Sequence, residues 1–505
     1  MSSQLSRRSI LRTTGLGALG LGVSRYGRAW AVPPSDRLTV ACIGVGSQGL
    51  RVLLDMLRLP EVQVMAVCDV NRGSTDYLEW GPGELRTKVR ATLQDSSWGA
   101  SNAGPAAGRE VAQGIVNAFY AKERNKPGYS GCAAYEDYRD LLAKEHGLDA
   151  VVVSTPDHWH ATIAIAAMRA GKHVYSQKPM AHSVWESREM PRVAEETKRA
   201  AAVSIFNAHA PASEQVREAI TGGAVGAVHQ VDIWTTRASS FWKQGLPTPA
   251  MADPVPPSLN WNLWLGPAAA RPYSHVYQPF VWRAWYDFGC GALGDMGEYG
   301  FDTIYRALGL GVPEQISASS SELFPDCFPV ASAVQFRYGA TGGKPAVALN
   351  WFDGGMQPAR PMELPASVPM LSEGVIYHGE KGKLLTEYMG QHARVLTPDG
   401  RLTELHPKEA SGDVPYQTAR PELGPGAAGA VTEHYLDWIR ACQGGPAPRT
   451  SYAFEQPIVE TLMLGVIAQR THEVLRWDAA GMKFVQGSER ATALVKPTMR
   501  APFAV

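Results

Sequence analysis

The chain has few cysteines, no excess of either charge and no long apolar run, and each lack removes a class of protein. Its 505 residues carry six cysteines, Cys42, Cys68, Cys132, Cys290, Cys327 and Cys442, with no CxxC pair among them. The common zinc and dithiol spacings are therefore missing. Cys42 and Cys68 sit inside apolar, strand-like runs and read as small core residues; a disulfide among the other four stays open. Lys+Arg and Asp+Glu both total 48, so the formal net charge is zero. That balance gives no support for a nucleic-acid partner or for broad attachment to a membrane surface. No run approaches the ~20 apolar residues that span a bilayer, and no internal repeat is visible.

What is present is a globular composition, 45% hydrophobic and 19% charged. The length exceeds one ordinary domain and predicts two. The N-terminus reads as an address. Ser6-Arg7-Arg8-Ser9-Ile10-Leu11-Arg12 is followed by a Gly-rich, weakly apolar run from Thr13 to Val23, and Ala29-Trp30-Ala31 offers a cleavage site. Residues 1–31 are thus expected to be a signal peptide. The arginine pair resembles the twin-arginine signal, which exports folded proteins and predicts a periplasmic or extracytoplasmic location. A cofactor can leave the cytoplasm inside such a protein, and must then be held tightly and recycled in place.

Leu38 to Val45 is a continuous apolar run, as a strand buried on both faces requires. Gly44-Val45-Gly46-Ser47-Gln48-Gly49 follows, then a segment with the apolar density of a buried helix. Gly44 suits the tight turn, Gly46 the close approach of a pyrophosphate, and Gly49 helix–strand packing. Ser47 and Gln48 open the helix, whose N–H groups face the phosphates. A second strand, Val62 to Cys68, ends in Asp69, where a ribose-binding acid belongs. That carboxylate favours NAD, while Arg72 close behind keeps NADP open. Residues 73–131 read as a long polar insertion with one helical piece near Val111 to Lys122. Strands at Ala150 to Ser154, His173 to Ser176 and Ala202 to Phe206 alternate with helices, which predicts a doubly wound parallel sheet. Ligands lie at the carboxyl ends of such strands, where Asp69, the Thr155-Pro156-Asp157-His158-Trp159-His160 segment and Lys178 all fall. His158 and His160 form an H-x-H without a clear third ligand, so no metal is expected.

After Gly226 strands follow one another without helices, at Val228 to Thr236, Ala331 to Tyr338 and Ala346 to Phe352, as in an antiparallel sheet. Between them lies a stretch rich in aromatics, including Trp242, Trp264, Trp282 and Trp285. Most are expected to pack in the core and a few to line a pocket. Arg283 is the first candidate for a substrate-binding cation and Trp285 for a stacking ring. Glu433 to Ala441 and Glu455 to Leu475 read as helices that pack back on the first domain.

The glycine turn, the Thr155–His160 segment, Lys178-Pro179 and Gly291-Ala292-Leu293-Gly294-Asp295-Met296-Gly297 together resemble the Gfo/Idh/MocA superfamily, that of glucose–fructose oxidoreductase and inositol dehydrogenase. The resemblance covers most of the mature chain. It implies a Rossmann domain over residues 36–207, an open-faced, mainly antiparallel α/β domain for substrate and oligomerisation over 208–478, and a tail over 479–505. It further implies a homodimer or homotetramer that oxidises or reduces sugars or polyols with NAD or NADP. Three positions depart from the family pattern. Gln177 replaces the usual glutamate before Lys178, Tyr299 stands where a histidine is expected, and Asn207-Ala208-His209-Ala210-Pro211 lacks the polar pattern of exported relatives.

The constellation gives each residue a role. The cofactor site comprises Gly44, Gly46, Ser47, Gln48, Gly49, Asp69, Arg72, Thr155, Pro156, Asp157, His160 and Lys178. Lys178, Tyr299 and Asp295 are the catalytic candidates, and Arg283 and Trp285 join them around the substrate. Lys178 would clamp the reacting oxygen. Tyr299 would move the proton, helped by the neighbouring lysine because a free tyrosine titrates near pH 10. Asp295 would orient one of them. The expected activity is hydride transfer at a CH–OH carbon of a sugar, polyol or glycoside. Two alternatives remain: a glycosidase or lyase working through transient oxidation, and a non-catalytic nucleotide- or sugar-binding protein.

Overall fold

The computed structural model describes residues 36–79, 81–238, 242–405 and 428–505; the expected signal peptide lies outside them. The first sheet is built from β1 (Leu38–Ile43), α1 (Ser47–Arg58), β2 (Val62–Cys68), α2 (Glu84–Leu93), α3 (Arg109–Glu123), β3 (Ala133–Tyr135), α4 (Tyr138–Lys144), β4 (Ala150–Val153), α5 (His160–Arg169), β5 (His173–Ser176), α6 (Val184–Thr197) and β6 (Ala201–Val203). Its six strands run parallel in the order β3-β2-β1-β4-β5-β6. The strand period of two explains why β1 is apolar at every position but Thr39. Leu38, Val40 and Cys42 join one buried cluster with α1, whereas Ala41 and Ile43 join another with α5. The order reverses between β1 and β4, and the crevice beyond their carboxyl ends is where such sheets bind ligands.

The insertion is more ordered than its polarity suggests. It forms two helices, α2 and α3, not one. Leu85, Val89 and Leu93 of α2 meet Ile115, Val116 and Tyr120 of α3 in the cluster that covers β1 and β2. Three apolar positions four residues apart were too sparse to show against the surrounding charge.

The second domain contains α7 (Pro211–Thr221), β7 (Val228–Trp234), α8 (Trp261–Leu265), α9 (Gly291–Leu308), β8 (Gln315–Ser320), β9 (Ser332–Tyr338), β10 (Val347–Phe352), β11 (Gly374–Gly379), β12 (Gly382–Thr386), β13 (Arg394–Leu396), β14 (Leu402–Glu404), α10 (Ala428–Cys442), α11 (Tyr452–Thr471), β15 (Leu475–Asp478), β16 (Lys483–Gln486) and α12 (Glu489–Ala493). Ten strands make one sheet, β14-β13-β12-β11-β7-β10-β9-β8-β15-β16. β7 and β10 pair in parallel and the other pairs are antiparallel. The expected fold class therefore stands.

Both C-terminal helices return to the first domain. Tyr435, Trp438 and Ile439 of α10 fill the Rossmann cluster, and Tyr452 at the start of α11 donates its hydroxyl to Ser176 Oγ at 3.0 Å. Helix α9 is squeezed between the new sheet and α11. Its glycines are the contact points: a Cβ on Gly297 would lie 2.4 Å from Leu462, and one on Gly300 2.3 Å from Ile233. This packing fixes α9, and with it Asp295 and Tyr299, against the end of β5. All six cysteines are free thiols, and five are buried. Among the described residues, no helix is long and apolar enough to cross a membrane.

Candidate active site

A cavity of about 810 Å³ opens at the carboxyl ends of β1, β2, β4 and β5 and continues beneath the aromatic stretch of the second domain. One end is the glycine turn. Gly44 has φ +80°, and a Cβ there would press on the Ser154–Thr155 backbone at 2.7 Å; a Cβ on Gly49 would lie 1.9 Å from the Gly44 carbonyl oxygen. Only glycine fits either place, and the result is that α1 begins directly on the turn. Gly46 caps α1 without any side-chain hydrogen bond, so the first N–H groups are left for an anion. Asp69 lines the cavity beside the turn, its two oxygens accepting from Val45 N at 2.7 Å and Asn71 N at 2.8 Å. Burial raises its pKa, against the pull of those two N–H groups and of Arg109.

Arg72 is displaced from the expected place. It lines a separate, shallow depression with Arg109 and Glu136 and does not reach the main cavity. The chain turns away after Asn71 to pair with Leu259, carrying Arg72 with it. Outside the main cavity, Arg72 does not favour NADP.

Thr155, Pro156 and Asp157 line the middle of the cavity. Asp157 is buried and accepts from Cys290 N at 3.1 Å. Burial pushes its pKa up to about 7, with Arg283 and Lys178 opposing and Asp295 adding to the rise. His160, expected to touch the cofactor, is fully buried behind the wall. Its ring nitrogens lie 2.7 Å from the Pro179 carbonyl and 2.9 Å from that of Thr155. Burial lowers its pKa to about 4, so the ring is neutral at pH 7 and donates to only one of them. It ties the end of β4 to the end of β5. His158 is held likewise, between the carbonyls of Phe288 and Trp264.

The predicted catalytic residues come together. Lys178 Nζ donates to Asp295 Oδ1 at 2.5 Å and to the Asp295 carbonyl at 2.8 Å, and lies 5.0 Å from the centre of the Tyr299 ring. Arg283 Nε is 3.3 Å from the same Asp295 oxygen, with its guanidinium over the rings of Phe280 and Trp282. Burial works to raise the pKa of Asp295, but Lys178 and Arg283 outweigh it and hold the carboxyl below its usual range. Lys178, Arg283, Asp295 and Tyr299 all line the cavity. Tyr299 is backed by Asn207, whose Nδ2 donates to the Tyr299 carbonyl at 2.9 Å, and by the Phe206 ring at 5.5 Å.

Trp285 is misplaced by the sequence reading. It is fully buried, and its indole N–H donates to the Val276 carbonyl at 3.2 Å; Trp282, three residues earlier, lines the cavity instead. The segment turns through a short 3-10 helix, Val281–Ala284, where neither strand nor α-helix periodicity tells which ring faces in. Trp242, Arg237, Gln278 and Phe280 also line this end and had no motif to mark them. At the other end the insertion contributes Tyr77, Leu78, Glu79 and Glu84, likewise unforeseen.

Residues 99–219 match the family model described as "Oxidoreductase family, NAD-binding Rossmann fold", and residues 211–344 the one described as "Oxidoreductase family, C-terminal alpha/beta domain". The chain is 28% identical over 215 residues to a glycosyl hydrolase family 109 protein of Saccharopolyspora erythraea; the match spans 39% of this chain and 38% of that protein. Its fold is that of the WlbA dehydrogenase from Bordetella pertussis, solved with NADH and UDP-GlcNAcA, at 15% identity, TM-score 0.51 and coverage of 88% and 99% of the two chains. An inositol dehydrogenase homologue from Azotobacter vinelandii, solved with NADH and myo-inositol, gives 14% identity, TM-score 0.51 and coverage of 88% and 98%. The fold and the glycine cradle define an NAD-binding Rossmann protein. Over residues 99–344 the chain is similar to the Gfo/Idh/MocA-type oxidoreductases.

The residues of the cavity fit NAD. The cradle excludes any Cβ at Gly44 and Gly49, the α1 N-terminus lacks a side-chain cap, and an acid ends β2. Beyond the turn, Ser154 Oγ, Thr155 Oγ1 and Gln177 Nε2 are buried at the cavity wall without a hydrogen-bond partner, a set of polar atoms suited to a bound ligand's hydroxyls and amide.

Proposed function

We propose that this protein is an NAD-dependent oxidoreductase acting on a CH–OH carbon of a sugar, polyol or glycoside, exported folded with its cofactor already bound. The observation that carries this reading is the Lys178–Asp295–Arg283 cluster beside Tyr299, on the wall of the same cavity as the glycine turn. NAD, when bound, supplies the hydride acceptor and donor. Gly44, Gly49 and the start of α1 would hold its diphosphate, and Asp69 would accept from its ribose. Lys178 uses two of its three N–H donors on Asp295, and the third serves the substrate oxygen as charge builds on it. Asp295 fixes the lysine, and Tyr299 carries the proton to and from that oxygen. Arg283, Trp282 and Trp242 suit a polyhydroxylated ring, the arginine for its hydroxyls and the indoles for its C–H faces. NADH occupies the two solved neighbours named above, one with a nucleotide sugar and the other with a cyclitol. The twin-arginine-like start and a homodimer or homotetramer built on the open sheet complete the reading.

A second reading shares the site. The curated relatives are named as glycosyl hydrolases, although the chain matches only about a third of their length. Oxidation at one ring carbon acidifies the neighbouring C–H, the aglycone leaves by elimination, water adds, and the carbonyl is reduced again. The same Lys178 and Tyr299 serve that cycle, with no net redox change.

The first test is release of nucleotide from natively exported protein on denaturation, read by mass spectrometry, followed by a panel of sugars, polyols and aryl glycosides. One NAD(H) per chain and turnover of a panel member is the expected result. Protein that carries no nucleotide and binds none when offered would overturn both readings and leave a binding protein without redox chemistry.

A further inference from the structure

The nucleotide end of the cavity is walled by a stretch between β2 and α3 that the glycine turn does not require. Both ends of this stretch are anchored. Ser74 and Ala107 exchange backbone hydrogen bonds at 3.0 and 3.1 Å, and Gly108 N donates to Val45 O at 3.1 Å. Helix α2 within it is pinned to α1: the buried Arg51 donates Nε and Nη2 to Glu84 at 2.9 and 2.7 Å, and Lys88 pairs with Asp55 at 2.7 Å. Glu79 accepts from Gly83 N and Leu85 N at 2.8 and 3.1 Å, which fixes the turn into α2. This frame presents Tyr77 and Leu78 to the cavity. The Tyr77 ring lies so close to the glycine turn that a Cβ on Gly46 would be 3.0 Å from its Cε1, and its hydroxyl accepts from Asn71 Nδ2 at 3.2 Å. Leu78 is 47% exposed, and among the described residues it alone of the exposed large apolar side chains lines the cavity.

We propose that this stretch is a clasp that retains the cofactor, with Tyr77 and Leu78 as binding residues for its adenosine end; the inference rests on the nucleotide reading given above. The order of groups along the cavity argues for it. The turn and α1 take the diphosphate and Asp69 takes the ribose, so the base lies next along, where an aromatic ring and an aliphatic side chain meet it. A purine is flat and apolar on its faces, and such a pair covers it. Because α2 is bound to α1 by two ion pairs, the nucleotide leaves only when the clasp parts from the glycine-turn helix. Retention of this kind is what an enzyme working away from a cofactor pool needs.

The test is exchange of bound nucleotide for isotopically labelled NAD, followed by mass spectrometry, in the full protein and in Tyr77→Ala and Leu78→Ala. The second variant trims an exposed side chain and keeps the test valid if the first folds poorly. Wild type exchanging slowly and either variant about tenfold faster, the scale of one lost base–aromatic stack, is the expected result. Both variants exchanging at the wild-type rate would overturn the clasp and leave the nucleotide reading intact. Wild type that neither carries nor takes up labelled NAD would overturn both.

Discussion

At the residue scale, the site turns on how buried charges are balanced. Asp157 and Asp295 line the same cavity, yet their carboxyls are driven apart. Asp295 is held down because Lys178 and Arg283 both touch it, whereas burial lifts Asp157 to about 7. A carboxyl raised in the folded state stabilises the protein below its unfolded pKa of about 4, and that stability is lost as pH rises through about 7. Asp157→Asn keeps an acceptor for Cys290 N but cannot ionise. Its melting temperature relative to wild type is expected to climb from pH 4 to pH 8; a constant offset would show that Asp157 is charged throughout. Glu186 and Asp353, also raised to about 7 by burial, are common to both proteins and cancel. For the reaction, Tyr299→Phe is expected to lower turnover by about 10²–10⁴, the worth of a positioned acid–base group, and Lys178→Met by about 10²–10³. Both should retain nucleotide. Unchanged turnover in Tyr299→Phe would move the proton transfer to another group.

At the scale of elements, what the sequence showed and what it hid follow from the same physics. Strands β1, β2 and β4 were legible because a strand buried on both faces is apolar at nearly every position, and β5 because its buried Val174 and Tyr175 follow a helix stopped by Gly171; their ends named Asp69, Thr155–Asp157 and Lys178. Gly44 and Gly49 were legible because no other residue fits the turn. Trp285 and Trp282 were exchanged because a 3-10 segment has no reliable face, and His160 was misread because a buried histidine and a site histidine share one motif. Strands β13 and β14 escaped notice because each is only three residues long. Glycine gives a test of which local term wins. Ala is favoured over Gly in a helix interior by about 0.8–1.0 kcal/mol. Gly114 in α3 is exposed with open space around its Cβ position, so Gly114→Ala should raise stability by about 0.5–1 kcal/mol. Gly49→Ala makes the same change in α1, but its Cβ meets the Gly44 carbonyl oxygen at 1.9 Å. That collision should reverse the sign, costing about 1–3 kcal/mol as overpacking does, and strip the bound nucleotide. Thermal unfolding and nucleotide content measure both; a stabilised Gly49→Ala that keeps its nucleotide would mean the turn can relax.

At the scale of the whole molecule, one cavity joins a cofactor cradle in the first domain to aromatic and cationic walls in the second, and the helices α9 and α11 lock the two together. If the proposed export holds, the protein must return its cofactor to the starting state, and the two proposed readings do so differently. One substrate can be oxidised and a second reduced, which leaves a keto sugar or lactone and a reduced partner. Alternatively, a single glycoside can be oxidised, cleaved by elimination, hydrated and reduced, which leaves free sugar and aglycone. Solvent deuterium separates them. In the second cycle the carbon beside the transient carbonyl loses its proton and regains one from water, so a reaction run in D₂O places deuterium at that ring carbon of the released sugar. With an aryl glycoside as substrate, this is the outcome expected of the second reading. NMR of the product would show loss of that C–H signal in step with release of the aglycone, without accumulation of NADH. Release of aglycone with the C–H signal intact would exclude elimination, and a keto product formed with a reduced second sugar would assign the paired-substrate cycle.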